Sequence, residues 1–257
     1  MSIDFLTQKM LANFLLRLGD DRLVLGHRLS EWCGHAPMLE EDIALTNIAL
    51  DEIGQASAFL HLAGEVEGGR RTEDDLAYFR EATRFTNVQL VEQPNNDFAA
   101  TMARQFLFDA YNYFLLEILQ KSAHEQLAGI AAKGLKEATY HLRHSKEWML
   151  RLGDGTEESH RRLQSSVDDL WPFTKELFVF DETERALIDQ GIIPPLGGLE
   201  KIWNELVFGV FAAATIAIPS KVGYIVSGSR SGRHSEHLGR MLAEMQIVAR
   251  SFPGARW

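Results

Sequence analysis

The sequence predicts an all-α fold built on four long helices. Apolar residues recur at helical spacing over long windows, whereas the alternation of apolar and polar residues that marks a β-strand is almost absent. The seven prolines fall mainly where helices should begin or end. One long polar stretch separates the second long helix from the third. These observations together predict a helical bundle with a crossover connection.

The helix boundaries follow from this periodicity and from capping residues. The four long helices are predicted over residues 6–33, 38–63, 97–121 and 125–153. Whether the first helix is broken near Gly19 is left open, and the second helix is expected to be stopped by Gly64. Asp97 and the two asparagines before it can cap the third helix. Shorter helices are predicted over residues 76–83, 156–180, 182–190, 199–218 and 234–252.

A four-helix core with one long connection between its second and third helices is the ferritin-like arrangement, although a generic bundle shares most of these features. The crossover here runs from about residue 65 to residue 94, and the additional helices follow at the C-terminal side. A length of 257 residues fits one large domain or two small ones, and no linker-like stretch divides it. We therefore predict a single ferritin-like domain over residues 1–257.

Composition excludes several classes of function. The formal net charge of -10 opposes nucleic-acid binding, which needs clustered Lys and Arg against phosphates. The longest apolar run, residues 206–218, is well short of the ~20 residues that span a bilayer. The single cysteine, Cys33, cannot form an intrachain disulfide, and the N-terminus does not resemble a secretory leader. We expect a cytoplasmic protein.

The second and third long helices carry charged residues where an apolar core is expected. Asp51, Glu52 and Gln55 interrupt a helix that is apolar on nearly every face. In the third helix, Asp109 stands among apolar residues, and Arg104 lies about one turn earlier. Because buried charges are seldom unpaired, we expect these residues to form hydrogen bonds or ion pairs.

The histidine spacing argues against a di-iron centre in this chain. Ferritin-like di-iron enzymes use a Glu from each of two helices and a Glu-x-x-His pair from each of the other two. Among the nine histidines, His160 alone has a glutamate three residues earlier, and it stands near a predicted helix start. His141 is preceded at that spacing by Ala138, and Glu52 is followed by Gln55, whose amide is a poor iron ligand. We therefore predict no metal in this chain.

The polar residues of the bundle leave two interpretations open. The favoured one is a hydrogen-bonded polar network at a vestigial metal centre, and the other is a surviving metal site built from Glu31, Asp109, Glu137 and His141. The candidate network comprises Arg28, Glu31, Asp51, Glu52, Gln55, Arg104, Asp109, Glu137 and His141. A ferritin-like binding or storage bundle is a weaker third possibility.

Two further patterns have simple alternatives. The loop over residues 219–233 contains Lys221, Arg230 and Arg233, which could hold CoA phosphates, although a solvated loop is the favoured interpretation. The histidine pairs 141/144 and 234/237 have a spacing that could seat a metal. Neither has an obvious carboxylate partner, so surface or capping histidines are predicted.

Four long strings resemble the C-subunit (PaaC) family of the bacterial 1,2-phenylacetyl-CoA epoxidases, also described as ring-hydroxylating phenylacetyl-CoA monooxygenases. These strings cover residues 16–37, 90–111, 136–156 and 236–246, and the resemblance runs from end to end. It implies a non-catalytic, ferritin-like structural subunit of a multicomponent enzyme. In that enzyme a separate A subunit would carry the di-iron centre and epoxidise the ring of phenylacetyl-CoA, with NADPH and a reductase supplying electrons. The chain itself would hold no cofactor.

Overall fold

The computed structural model describes residues 4–219 and 224–255, and within these ranges every regular element is a helix. The all-α fold class is therefore confirmed. The α-helices are α1 (Phe5–Ser30), α2 (Leu39–Val66), α3 (Glu73–Tyr78), α4 (Phe98–Leu119), α5 (Glu125–Gly153), α6 (Glu157–Leu170), α7 (Glu182–Asp189), α8 (Leu199–Ala213) and α9 (Glu236–Ser251). Short 3-10 helices cover Ala82–Arg84, Gln89–Glu92, Trp171–Phe178 and Ser229–Ser231. Over the same residues, no helix is long and apolar enough to cross a membrane.

The four long helices occur in the predicted order, with the crossover between α2 and α4, as in a ferritin-like bundle. The boundaries of α5 agree with the prediction. The side chain of Asp97 accepts a hydrogen bond from the amide of Ala100 at 2.8 Å, which confirms the predicted N-cap of α4.

Two glycines lie inside helices: Gly19, where a break was left open, and Gly64, which was expected to end α2. Helix α1 continues through Gly19, and α2 continues through Gly64 to Val66. A Cβ atom at Gly19 would lie 2.7 Å from the Leu60 side chain, and one at Gly64 would lie 2.1 Å from the carbonyl oxygen of Arg71. These glycines permit close packing of neighbouring segments. The expectation that Gly64 ends α2 is wrong for that reason.

The chain divides into two compact units. The first unit comprises the described parts of Met1–Glu92, Phe180–Gln190 and Gly228–Trp257, and the second comprises those of Gln93–Val179 and Gly191–Ser227. The prediction of a single domain over residues 1–257 stays a prediction.

The first unit is centred on the hairpin of α1 and α2, against which α3 and α7 pack. Its core contains the fully buried side chains of Leu15, Leu25, Ile48 and Phe59. Helix α9 contacts α3 and the 3-10 helix that precedes Thr86. The crossover and the C-terminal helix are therefore both part of this unit.

The second unit is built around α4, which contacts α5, α6 and α8. Aromatic rings form much of its core. The Trp203 ring lies 5.3 Å from Phe178 and 5.8 Å from Trp171, measured between ring centroids. The indole Nε1 of Trp203 donates a hydrogen bond to the carbonyl oxygen of Leu107 at 3.0 Å, so its polar group is also satisfied.

Candidate functional site

In the first unit, an arginine is hydrogen-bonded to Gln55, the residue at which the ferritin-like pattern would require an imidazole ligand. Glu52 is fully buried on α2, and Gln55 follows it one turn later. The Oε1 atom of Gln55 accepts a hydrogen bond from Nε of Arg22 at 3.0 Å. Arg22 is 1% exposed, and its guanidinium lies 4.7 Å from the centroid of the Phe59 ring. A permanent positive charge is thus held beside this ligand position.

Close packing of α1 on α2 places the arginine there. Gly26 lies one turn after Arg22 on α1, and a Cβ atom at Gly26 would be 3.1 Å from the carbonyl oxygen of Ala49 and 3.3 Å from Cβ of Glu52. The missing side chain lets the two helices approach each other at Glu52. Arg22 also donates to the carbonyl oxygen of Leu18 at 2.7 Å, which fixes the direction of its guanidinium.

In the second unit, Asp109 on α4 and His141 on α5 are both fully buried. A carboxylate oxygen of Asp109 and a ring nitrogen of His141 lie within 4.8 Å of each other. The two carboxylate oxygens accept hydrogen bonds from neutral donors, Nε2 of Gln105 and Oγ of Ser145, each at 2.7 Å. Asp109 is therefore a hydrogen-bonded member of a buried polar cluster.

These side chains do not fit a di-iron centre. Ala138, which stands where the second pair needs its acid, is fully buried and has no atom that can bind a metal. Gln55, which stands where the first pair needs its imidazole, is bonded to a guanidinium. A dication at this position would also be repelled by the charge of Arg22. The loss of ligands inferred from spacing is thus accompanied by a contact that spacing does not reveal.

Two other members of the predicted network form a pair at the end of α1. Arg28 donates to the Glu31 carboxylate at 2.6 Å and to the carbonyl oxygen of Glu92 at 3.0 Å. Asp51 and Glu137 are half-buried on α2 and α5. Whether these residues act as one network with Glu52 and the others stays a prediction.

Arg104 supports the start of its own helix. It donates to the carbonyl oxygen of Gln93 at 2.5 Å and to Oδ1 of Asn95 at 2.8 Å. Both acceptors lie in the segment that precedes α4. Arg104 therefore ties this half-buried segment to the helix.

The three residues suggested for CoA phosphates have different surroundings. Lys221 lies outside the described residues. Arg230 forms a two-pronged ion pair with Asp21, with both N–O distances at 3.0 Å, and also donates to the carbonyl oxygen of Thr86 at 2.6 Å. Its side chain is 13% exposed, so the expectation of a solvated loop is wrong at this residue. Arg233 is exposed, and its role toward phosphate stays a prediction.

Sequence reasoning missed the buried ion pairs of α1. The Asp20 carboxylate, which is fully buried, pairs with Arg80 and accepts the amide of Thr86 at 2.8 Å. Arg17 pairs with Asp181 at 2.6 Å and with Glu184 at 2.7 Å. A signal was present, because consecutive charged residues at positions 20–22 stand in an otherwise apolar stretch.

Two histidines are also not where they were expected. His141 is fully buried, and the side chain of His234 is 5% exposed and pairs with Glu92. The prediction of surface or capping histidines is wrong for both. The partner of His234 lies far away in sequence, in the crossover, which explains why spacing could not reveal it.

Comparison with known proteins agrees with the resemblance seen in the sequence strings. The family model described as "Phenylacetic acid catabolic protein" matches residues 5–257. The chain is 48% identical, over 247 residues, to the C subunit of the 1,2-phenylacetyl-CoA epoxidase of Escherichia coli (strain K12). This match covers 96% of the chain and 99% of the relative. The chain therefore belongs to the phenylacetic acid catabolic protein family.

Proposed function

We propose that this chain is the non-catalytic structural subunit of a multicomponent, cytoplasmic monooxygenase that epoxidises the aromatic ring of phenylacetyl-CoA. The observation that carries the proposal is the bond between Arg22 and Gln55, which places a fixed cation beside a position that a di-iron centre would need for a ligand. The reaction in this proposal is taken from the name of the Escherichia coli relative, which is one subunit of an epoxidase.

The proposal assigns the chemistry to other chains. A catalytic A subunit would hold the di-iron centre, and a reductase would deliver electrons from NADPH. The buried polar residues around Glu52 and Asp109 would then keep the bundle folded without a metal, because hydrogen bonds satisfy polar groups that the ligands once presented. Stability of the catalytic subunit would depend on association with this chain.

An exposed apolar stripe on α2 supports association with another chain. Leu39, Ile43 and Leu50 lie four and seven residues apart, which places them on one face of the helix. They are 72%, 54% and 61% exposed. Gly54 continues this face one turn further, and a Cβ atom there would meet open space. Exposed apolar side chains that share one face of a helix are a feature of surfaces that bind a partner.

Co-expression tests the proposal. The catalytic subunit is purified with and without this chain, and NADPH-dependent turnover of phenylacetyl-CoA is measured with the reductase and the remaining components present. We expect turnover only when both chains are present, and none with this chain alone. Equal turnover by the catalytic subunit without this chain would overturn the structural role.

A matched pair of variants tests the stripe. Leu50→Asp on α2 should weaken co-purification with the catalytic subunit, because it places a charge in an apolar interface. Ile247→Asp is the control, since Ile247 is 60% exposed but lies on α9. Equal co-purification of both variants with the wild type would remove α2 from the interface.

One observation favours a second candidate function. Asp109 and His141 offer a carboxylate and an imidazole within 4.8 Å, which is a partial ligand set for an unorthodox metalloenzyme. A storage bundle would instead predict metal uptake or a self-assembled shell. Stoichiometric metal in the purified chain would favour these alternatives over the structural role.

A further inference from the structure

Both ring nitrogens of His234 face hydrogen-bond acceptors. Nδ1 contacts a carboxylate oxygen of Glu92, and Nε2 lies 2.8 Å from the carbonyl oxygen of Phe85. A neutral imidazole has a single N–H and can donate to one of them. Both contacts are donor-to-acceptor hydrogen bonds when the ring is the doubly protonated imidazolium.

The other contacts of Glu92 come from hydrogen-bond donors. The carboxylate is fully buried and accepts hydrogen bonds from Nδ2 of Asn87 at 2.9 Å and from the amide and hydroxyl of Ser235 at 2.8 and 2.6 Å. Each of these donors contacts a carboxylate oxygen, as does Nδ1 of His234. Ser235 is the N-cap residue of α9, so the negative charge also lies at the positive end of that helix.

We propose that His234 is a resident imidazolium that locks the start of α9 to the crossover segment, and that loss of its proton weakens the attachment of this end of the helix. The lock is the set of contacts among His234, Glu92, Ser235 and the Phe85 carbonyl. It couples the attachment of the C-terminal helix to pH.

Other charged groups act on the lock from each neighbouring element. Asp20 on α1 adds negative charge that favours the proton, although it is itself paired with Arg80. Arg28 on α1 opposes it, because its guanidinium bonds the carbonyl oxygens of Glu92 and His237. The segment before α9 contributes Arg233 and the pair of Arg230 with Asp21.

The balance of these effects favours the proton. Burial lowers the pKa of His234, but the hydrogen bond and the charge of Glu92 outweigh it, so the pKa of the ring lies above its usual value of 6.5. The stabilising contribution is therefore fully present below about pH 6.5, the value for an unfolded histidine, and is lost as pH rises through the folded-state pKa.

The weakening should be confined to the first turns of α9, where Arg28 and Ser235 still keep their contacts with the His237 carbonyl and with Glu92. The far half of the helix is held by Gln246, which donates to the carbonyl oxygens of Ala77 and Arg80 at 2.9 and 3.1 Å. Arg250 donates to the carbonyl oxygen of Tyr78 at 3.1 Å. Amide and guanidinium donors do not titrate near neutral pH, so these contacts persist when His234 loses its proton.

Two measurements on the full chain test the proposal. NMR of the chain with 13C-labelled histidines should show the His234 ring doubly protonated at pH 6.5 and titrating with a pKa above 6.5, the usual value for histidine. Hydrogen exchange, corrected for the intrinsic pH dependence of exchange, should show protection falling over residues 237–241 as pH rises. The expected loss is about tenfold for each unit by which the pKa exceeds 6.5, with no loss near Gln246.

The variant Glu92→Gln sharpens the test, because the amide keeps the shape but not the charge. The pKa of His234 should then fall below that in the wild type, because burial lowers it and the charge of Glu92 no longer opposes this, and the pH dependence of exchange should disappear. Glu236→Gln, which alters an exposed acid one residue after the cap, should leave both unchanged. If Glu92→Gln does not fold, the wild-type titration still decides. A singly protonated His234 ring at pH 6.5, or constant protection of residues 237–241 from pH 6 to 9, would overturn the proposal.

Discussion

Helix α1 in the first unit and helix α4 in the second are both mostly buried, but they are held by different interactions. Helix α1 carries charged side chains on successive turns, and these bind separate segments of the chain: Arg17, Asp20, Asp21, Arg22 and Arg28. Around α4 the neighbours are mainly rings, with Phe106 at 6.3 Å from Phe211 and Tyr111 at 5.9 Å from Phe178 between centroids. The buried Asp109 of α4 accepts from Gln105 and Ser145.

This difference indicates how each unit keeps its conformation. In the first unit, ion pairs join α1 to the crossover, to α7 and to the segment before α9. Charge pairing therefore determines which segment packs at each position along α1. Buried pairs of this kind add little net stability, but the loss of one partner is costly. In the second unit, the packing of apolar side chains contributes most to stability, and this contribution does not depend on pH. Changes of charge should therefore affect the two units unequally.

The largest effect should come from breaking the pair between Asp20 and Arg80. Arg80→Met leaves a fully buried carboxylate without its cation and should lower the free energy of unfolding by about 3–5 kcal/mol. Denaturant unfolding measures this loss. Arg240→Met is the control, since Arg240 pairs with Glu236 on the surface, and its effect should stay below about 1 kcal/mol. A similar small loss for Arg80→Met would remove the distinction between the units.

A smaller effect is expected at Asp109. Asp109→Asn replaces one acceptor oxygen by a donor and leaves the Gln105 amide or the Ser145 hydroxyl without its acceptor. We expect a loss of about 1–3 kcal/mol in the free energy of unfolding. Ser145→Ala removes one of these bonds and should cost about 1 kcal/mol. A loss for Asp109→Asn as large as that for Arg80→Met would show that charge is as important in the second unit as in the first.

The smallest effect is a pH dependence at Asp181. Burial raises the pKa of its carboxyl, but the Arg17 guanidinium and the Thr183 amide outweigh it and hold the pKa well below the usual 3.8. This contribution to stability is present above pH 3.8 and is lost as pH falls through the lower folded-state pKa. Unfolding measured from pH 5 downward should show a shallower acid limb in Asp181→Asn than in the wild type. Identical acid limbs would contradict the pairing with Arg17.

The sequence predicted the helices well where local signals decide them. The boundaries of α5 and the Asp97 cap follow from periodicity and capping chemistry alone. The end of α2 was misjudged because the role of Gly64 is tertiary: the backbone at Arg71 passes too close for a side chain. A glycine that stops a helix and a glycine that admits a neighbour look the same in one sequence.

The sequence predicted which metal ligands the candidate site lacks, but it did not predict the contacts that the structure has there instead. The substitutions at positions 55 and 138 follow from spacing. The bond from Arg22 to Gln55 depends on how α1 is aligned with α2, and the partner of His234 depends on where the crossover passes. Both are long-range contacts that periodicity does not encode. The charged residues before Leu23 were a signal of buried ion pairs, but they did not identify any partner.

The central claim is that this chain does not hold a di-iron centre, and metal content tests it most directly. The full chain is purified, exposed anaerobically to excess Fe(II), passed through a desalting column and measured by inductively coupled plasma mass spectrometry beside the catalytic subunit. The account predicts no stoichiometric iron in this chain. The side chain of Gln55 is hydrogen-bonded to Arg22, and Ala138 has no atom that can bind a metal. Two irons per chain, retained after desalting and lost in the variant Asp109→Asn, would contradict it.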